Sequence, residues 1–217
     1  MSKHLKISEI SEVLDILEEE FPDAKAELNY TTPFELLIAT ILSAQCTDVR
    51  VNLTTDVLFK KYNTPEKILQ LSVEELGEYI KSCGFYNTKS KNILLTSEIL
   101  VKEYDSKVPN TMKELVKLPG VGRKTANVVL SNAFGVPSIA VDTHVFRVSN
   151  RIGIANGKDV EETEKQLRRR IDRSRWSKSH HVLIFHGRRI CKARNPLCAS
   201  CPVNSYCLYY KGGKKNV

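Results

Sequence analysis

Apolar positions recur at helical spacing along most of the chain. Ile10, Val13, Leu14, Leu17 and Phe21 share one helical face, and Pro22-Asp23 ends that run. Thr32-Pro33-Phe34-Glu35 reads as a capping box with proline at the first helical position. The helix it opens, "FELLIATILSA", is apolar nearly all round and is expected at the centre of a core. Asp48 precedes a run through Val49, Leu53, Val57 and Leu58, and Thr64-Pro65 starts another. Ser72 with Glu75 and Thr111 with Glu114 form further capping boxes, and Asp159 with Glu162 caps a run through Leu167 and Ile171. Val182, Leu183 and Phe185 sit on a last helix reaching Ile190. "SIAVDTHVFRV" has β-branched residues without clean alternation, so it reads as a loop entering a helix capped by Asp142. The expected class is all-α, with about ten short helices and no internal repeat.

One interruption stands out. In "KLPGVGRKTA", Pro119-Gly120-Val121-Gly122 separates a helix over 111–118 from one over 123–134. A plain connection needs one glycine at most. Two glycines leave backbone N–H groups open to something that comes close. The second helix starts there with unpaired donors and a positive dipole end, the combination that binds phosphate. Val121, between the glycines, can anchor the hairpin in the core. A tight connection that touches nothing is the alternative. Lys124 favours phosphate, because a cation in the first helical turn opposes the dipole and an ordinary surface lysine gains nothing there. The same placement favours the free amine that a nucleophile needs. Asp142, among Ile139, Ala140, Val141 and Val145, is either a helix cap alone or a cap whose second oxygen serves chemistry.

Composition narrows the partner. The 217 residues carry a net charge of +8, which points to a polyanion, nucleic acid first. No run of apolar residues is long enough to span a membrane, and the N-terminus has no signal-type apolar core, so a cytoplasmic protein is expected. No heptad pattern suggests a partner helix, and a monomer is expected. Cys46 and Cys83 stand alone and read as small buried hydrophobes. Cys191, Cys198, Cys201 and Cys207 crowd one loop, and without a secretion signal they read as metal ligands. Zinc and an iron–sulfur cluster both accept four thiolates, and the wide outer spacings lean toward the larger cluster. Lys192, Arg194 and Asn195 place polar and cationic groups where that loop can meet a DNA backbone.

Together, "LSAQCTD" (Leu42 to Asp48), "LPGVGRKTA", "VDTHVFRVSNR" (Val141 to Arg151), "HGR" (His186 to Arg188) and the four-cysteine loop resemble the endonuclease III family of DNA repair glycosylases. The match runs from about Thr32 to Leu208. The resemblance implies a two-domain, all-α helix-hairpin-helix glycosylase fold with a C-terminal iron–sulfur loop. A six-helix domain would cover 23–135, with the helix-hairpin-helix at 111–134, and a discontinuous cluster domain would join 1–22 to 136–217 around a [4Fe-4S] cluster. Duplex DNA containing oxidised pyrimidines or abasic sites is the implied partner, in a cleft between the domains. Lys124 resembles the lysine that attacks C1′, and Asp142 the carboxylate that activates it. Gln45, at the end of the buried helix, resembles the glutamine that fills the gap left by a base outside the stack. Phe85 stands in an intercalating loop where the family commonly has leucine.

Two other readings belong to different classes. An adenine-mismatch glycosylase shares the hairpin, aspartate and cluster, but has no lysine at the position of Lys124 and adds a C-terminal recognition domain. A non-catalytic DNA-binding module would use the hairpin and Lys124 only to hold phosphate.

Overall fold

Several helices start where a side chain satisfies one of the first free N–H groups, as Thr32, Thr64, Ser72 and Asp142 do. In the structure, a computed structural model that describes residues 4–213, all regular elements of those residues are helical. In chain order they are α1 (Ile7–Glu20), α2 (Pro33–Leu42), α3 (Asp48–Leu58), α4 (Pro65–Ile68), α5 (Val73–Ile80), α6 (Tyr86–Glu103), α7 (Met112–Leu115), α8 (Arg123–Phe134), α9 (Thr143–Ile152), α10 (Val160–Arg170), α11 (Trp176–Arg189) and α12 (Leu208–Lys211). Single 3₁₀ turns lie at Lys81–Cys83 and Arg173–Arg175.

Several caps differ in detail from the expectation. Ser72 and Glu75 do form a reciprocal box. Thr32 accepts from the Glu35 N–H, but the Glu35 carboxylate turns to the N–H and hydroxyl of Thr31 instead. Thr47, not Asp48, caps α3, because its hydroxyl reaches the Arg50 N–H at 3.3 Å and Asp48 is already helical. The hairpin's first helix is a single turn, α7, rather than 111–118. Pro119 disfavours helical backbone at Leu118, so the chain closes with tight turns: Lys117 N–H donates to Glu114 O and Leu118 N–H to Leu115 O.

The chain divides into two compact units. One is Glu27–Val136, and the other joins the segment through Ala26 to the chain from Pro137 onward. In the first unit α2 is the central rod. All of Phe34 to Leu42 is buried, including Glu35 and Thr40, and α3, α6 and α8 pack around it. Leu36, Leu37, Ile38, Val51, Leu76, Ile93, Leu115 and Val129 belong to one continuous core. Apolar residues on every face of α2 leave no side for water. In the second unit α9 lies against α11, with α1 on α11 and α10 and α12 on α9. Ile10, Val13, Leu14 and Leu17 of α1 enter a core with Val145, Val148, Val182 and Leu183. Arg175 helps hold the N-terminal helix there, at 2.7 Å from Glu18 and 2.8 Å from Asp15.

Candidate active site

The hairpin is built from inside the first unit. Val121 is 5% exposed and joins the core. Its N–H donates to Leu118 O, and the Thr96 hydroxyl of α6 donates to Pro119 O at 2.9 Å. The two glycines are needed for different reasons. Gly120 has φ +77°, and a Cβ there would stand 3.1 Å from Asn92 of α6. That position requires glycine for the fold. Gly122 has an ordinary extended backbone, and nothing lies within 4 Å of where its Cβ would be. It is also the N-cap of α8 and supplies no side-chain cap. Gly122 therefore gives the first N–H groups of α8 no bond from the cap residue itself, and no atom lies where its side chain would stand. Lys124, exposed, sits in this first turn.

Asp142 is the N-cap of α9. One carboxylate oxygen, Oδ1, accepts from His144 N at 2.9 Å and Val145 N at 2.8 Å. Two backbone N–H bonds on one oxygen fix the carboxylate and leave Oδ2 outside the cap. Behind it, Ile139, Ala140 and Val141 are buried. His144 is held below the ordinary histidine range, first by burial, and its ring lies beside Arg147.

Gln45 and Phe85 occupy matching situations. Gln45 is not on α2, which ends at Leu42, and it is not a buried cap. It is exposed, at φ 55°, in the turn after Ser43. Phe85 is 67% exposed at φ 49° and precedes α6. Non-glycine residues rarely adopt this left-handed backbone, which costs about 1–3 kcal/mol and persists only when the surroundings hold it. Cys83 is buried, whereas Cys46 is partly exposed rather than enclosed.

The four remaining cysteines line one recess, with Ile152, His186 and Leu197. Two arginines one turn apart on α9 fasten the start of this loop. Arg147 donates to Cys191 O and Gly187 O, and Arg151 donates to Lys192 O, Ala193 O and the Cys191 sulfur. Arg151 is buried, and its guanidinium also lies over the Tyr209 ring. His186 approaches the Cys201 sulfur at 3.7 Å. Burial, and then the neighbouring thiols, push Cys201 up to about 11. A metal group binds cysteine as the thiolate and would supply the positive charge that burial withholds from Cys201 and Cys207. Yet no three His, Cys, Asp or Glu side chains among the described residues converge on a single ion position. Four cysteine side chains lining one recess are a donor set that an iron–sulfur cluster accepts. Arg194 is exposed, in the loop between Cys191 and Cys198.

The family profile for HhH-GPD superfamily base excision DNA repair proteins matches residues 38–173, and that for the iron–sulfur binding domain of endonuclease III matches residues 191–207. The chain belongs to the endonuclease III family. Endonuclease III of Rickettsia conorii is 54% identical over 201 residues, 93% of this chain and 96% of that protein. Endonuclease III of Bacillus subtilis is 53% identical over 204 residues, 94% and 93% respectively. A solved structure of a trapped endonuclease III–DNA covalent intermediate matches with TM-score 0.92 and 49% identity, over 97% of this chain and 100% of that one. As a member of this family, the protein is a base excision repair enzyme, a DNA N-glycosylase and abasic-site lyase, and it binds an iron–sulfur cluster.

Sequence reasoning passed over Lys89. It lies on α6 in "YNTKSKN", 5% exposed, and its ammonium donates to three backbone carbonyls. Nothing in the sequence separates it from Lys91, two residues on. It also assigned no role to Arg147, Arg151 or Asn92, whose partners are distant in the chain.

Proposed function

We propose that this glycosylase/lyase acts on oxidised pyrimidines in duplex DNA and uses Lys124 as its covalent nucleophile. The observation that carries this is the glycine-capped start of α8. An exposed amine stands in the first turn, beside N–H groups with no side-chain cap and a glycine that the fold itself does not require. A DNA phosphate held there brings the adjacent sugar to the amine.

In this reading the lesion base leaves the stack, and Gln45 and Phe85 occupy the gap. The Lys124 amine attacks C1′ through its lone pair as the bond from C1′ to the base breaks, and the base departs with the bonding electron pair. Asp142 takes the proton from the amine through its uncommitted oxygen and stabilises the cationic sugar. Asp142 returns that proton to the ring oxygen O4′ as the bond from C1′ to O4′ breaks, and the opened adduct is a Schiff base, which makes the C2′ proton acidic. Removal of that proton breaks the bond from C3′ to oxygen and releases the 3′ phosphate. Cys191, Cys198, Cys201 and Cys207 would hold a [4Fe-4S] cluster that staples the C-terminal loop, and Arg194 on that loop contacts the DNA backbone. The protein acts as a monomer.

Borohydride added during turnover reduces a Schiff base but not a phosphate contact. Wild type is expected to cross-link to duplex containing an oxidised pyrimidine. Lys124→Gln is expected to lose the cross-link and the nick while retaining most DNA binding. If Lys124→Gln still traps and nicks at the wild-type rate, this nucleophile is wrong. Wild type that releases the base without trapping would indicate water as the attacking group.

A further inference from the structure

We infer that the buried ammonium of Lys89 is a positioning clamp that sets Gln45 and Phe85 at their working separation. The inference rests on the gap-filling reading above. Lys89 Nζ donates to Leu42 O and Ala44 O, both at 2.8 Å, and to Cys83 O at 2.9 Å. An ammonium has three N–H groups, so all three are committed. Leu42 ends α2, and Ala44 directly precedes Gln45. Cys83 ends the 3₁₀ turn that leads through Gly84 into Phe85. One cation therefore binds the backbones of two separate segments, and each segment carries an exposed residue in left-handed conformation within two residues of a bound carbonyl.

The end of α2 favours a cation at this place. The carbonyls at the end of α2 carry the negative end of that helix. Burial holds the Lys89 ammonium below the ordinary lysine range, while the nearby Cys83 and Cys46 thiols oppose that drift. Strained backbone at Gln45 and Phe85 persists only if it is held, and the shared cation is the group that holds both. It acts on the tips through their backbones, and the tip side chains remain free for DNA.

The role predicts a split between two activities of the same protein. Excision of a base requires it to leave the stack, whereas an abasic site has no base to remove. Lys89→Met, measured in the cluster-loaded enzyme, is expected to lower the ratio of base excision to abasic-site nicking by about ten-fold or more, within the cost of a small misplacement. A merely structural role would reduce the folded fraction, lower both rates together and leave the ratio unchanged. The Gln45→Ala/Phe85→Ala variant is expected to lower the same ratio. Adding Lys89→Met to it should then change little, because the two changes act through one device.

If Gln45→Ala/Phe85→Ala leaves the ratio unchanged, the gap-filling reading fails and the clamp with it. If that variant lowers the ratio but Lys89→Met does not, or multiplies the loss independently, the clamp is overturned and the gap-filling reading stands. Where Lys89→Met does not fold, Lys89→Arg serves. Its planar fork cannot meet three converging carbonyls as an ammonium does, so the ratio should still fall. An unchanged ratio in Lys89→Arg overturns the proposal.

Discussion

Asp142 shows how one side chain can hold two roles that a mutation separates. Its Oδ1 caps α9 through two backbone N–H groups. Asparagine caps a helix about as well as aspartate. Asp142→Asn should therefore leave Tm nearly unchanged while slowing base release by roughly 10²–10⁴, the usual weight of a positioned acid or base. Asp142→Ala should lose the cap as well, at about 1 kcal/mol of stability. Single-turnover excision and thermal melts on the two variants check this, and an Asp142→Asn enzyme of wild-type speed would confine the residue to capping. His181 sets a pH dependence at the same scale. Burial first, then the charges of His180 and Lys178, hold it down to about 3 against an ordinary 6.5. Between those values the unfolded chain holds the proton and the folded chain does not. Stability on this account is complete above pH 6.5 and declines as pH falls toward 3. His181→Gln should show a flatter decline in urea midpoint between neutral and acidic buffer.

At the scale of the element, the two hairpin glycines make opposite predictions. Gly120→Ala forces a Cβ onto a positive φ beside Asn92 and should destabilise the protein by about 1 kcal/mol or more. Gly122→Ser meets open space and places a preferred capping residue on α8, so stability should hold or rise. The new side chain would occupy the place proposed for a DNA phosphate, so Gly122→Ser should weaken DNA binding in a titration. Unchanged affinity would remove the start of α8 from the interface. The pair of glycines was legible in the sequence, but which one serves the fold and which one leaves space was not. That division depends on Asn92, which is 28 residues from Gly120 along the chain and beside it in the fold.

Over the whole molecule, charge and cluster set the behaviour. With a net charge of +8, DNA affinity should fall with salt at about −0.9 per phosphate contact on a log–log plot. Arg194→Ala should make that slope shallower by about one contact, and an unchanged slope would take Arg194 out of the interface. Purified protein should be brown, with about four irons per chain if the cluster is [4Fe-4S]. Cys198→Ser should lose the colour and open the loop after α11 to protease. A colourless protein holding one zinc would overturn the cluster assignment while leaving the lysine chemistry intact.

The sequence alone determined the helical class, the buried rod of α2, the capped start of α9, the hairpin and the four-cysteine loop. These are local properties: apolar period, cap chemistry and glycine placement act within a few residues, and a chain displays them in order. The tertiary structure decided what depends on residues remote in sequence. It joined α1 to the α9–α11 core, because an amphipathic helix buries its stripe against whichever core is within reach. It shortened the first hairpin helix, moved Gln45 off α2 into a left-handed turn, and placed Arg147 and Arg151 over the cluster loop. It also buried Lys89 among three carbonyls. A lysine in a polar stretch of helix is written like any surface lysine, and only the backbones packed around it show that its charge has been taken up.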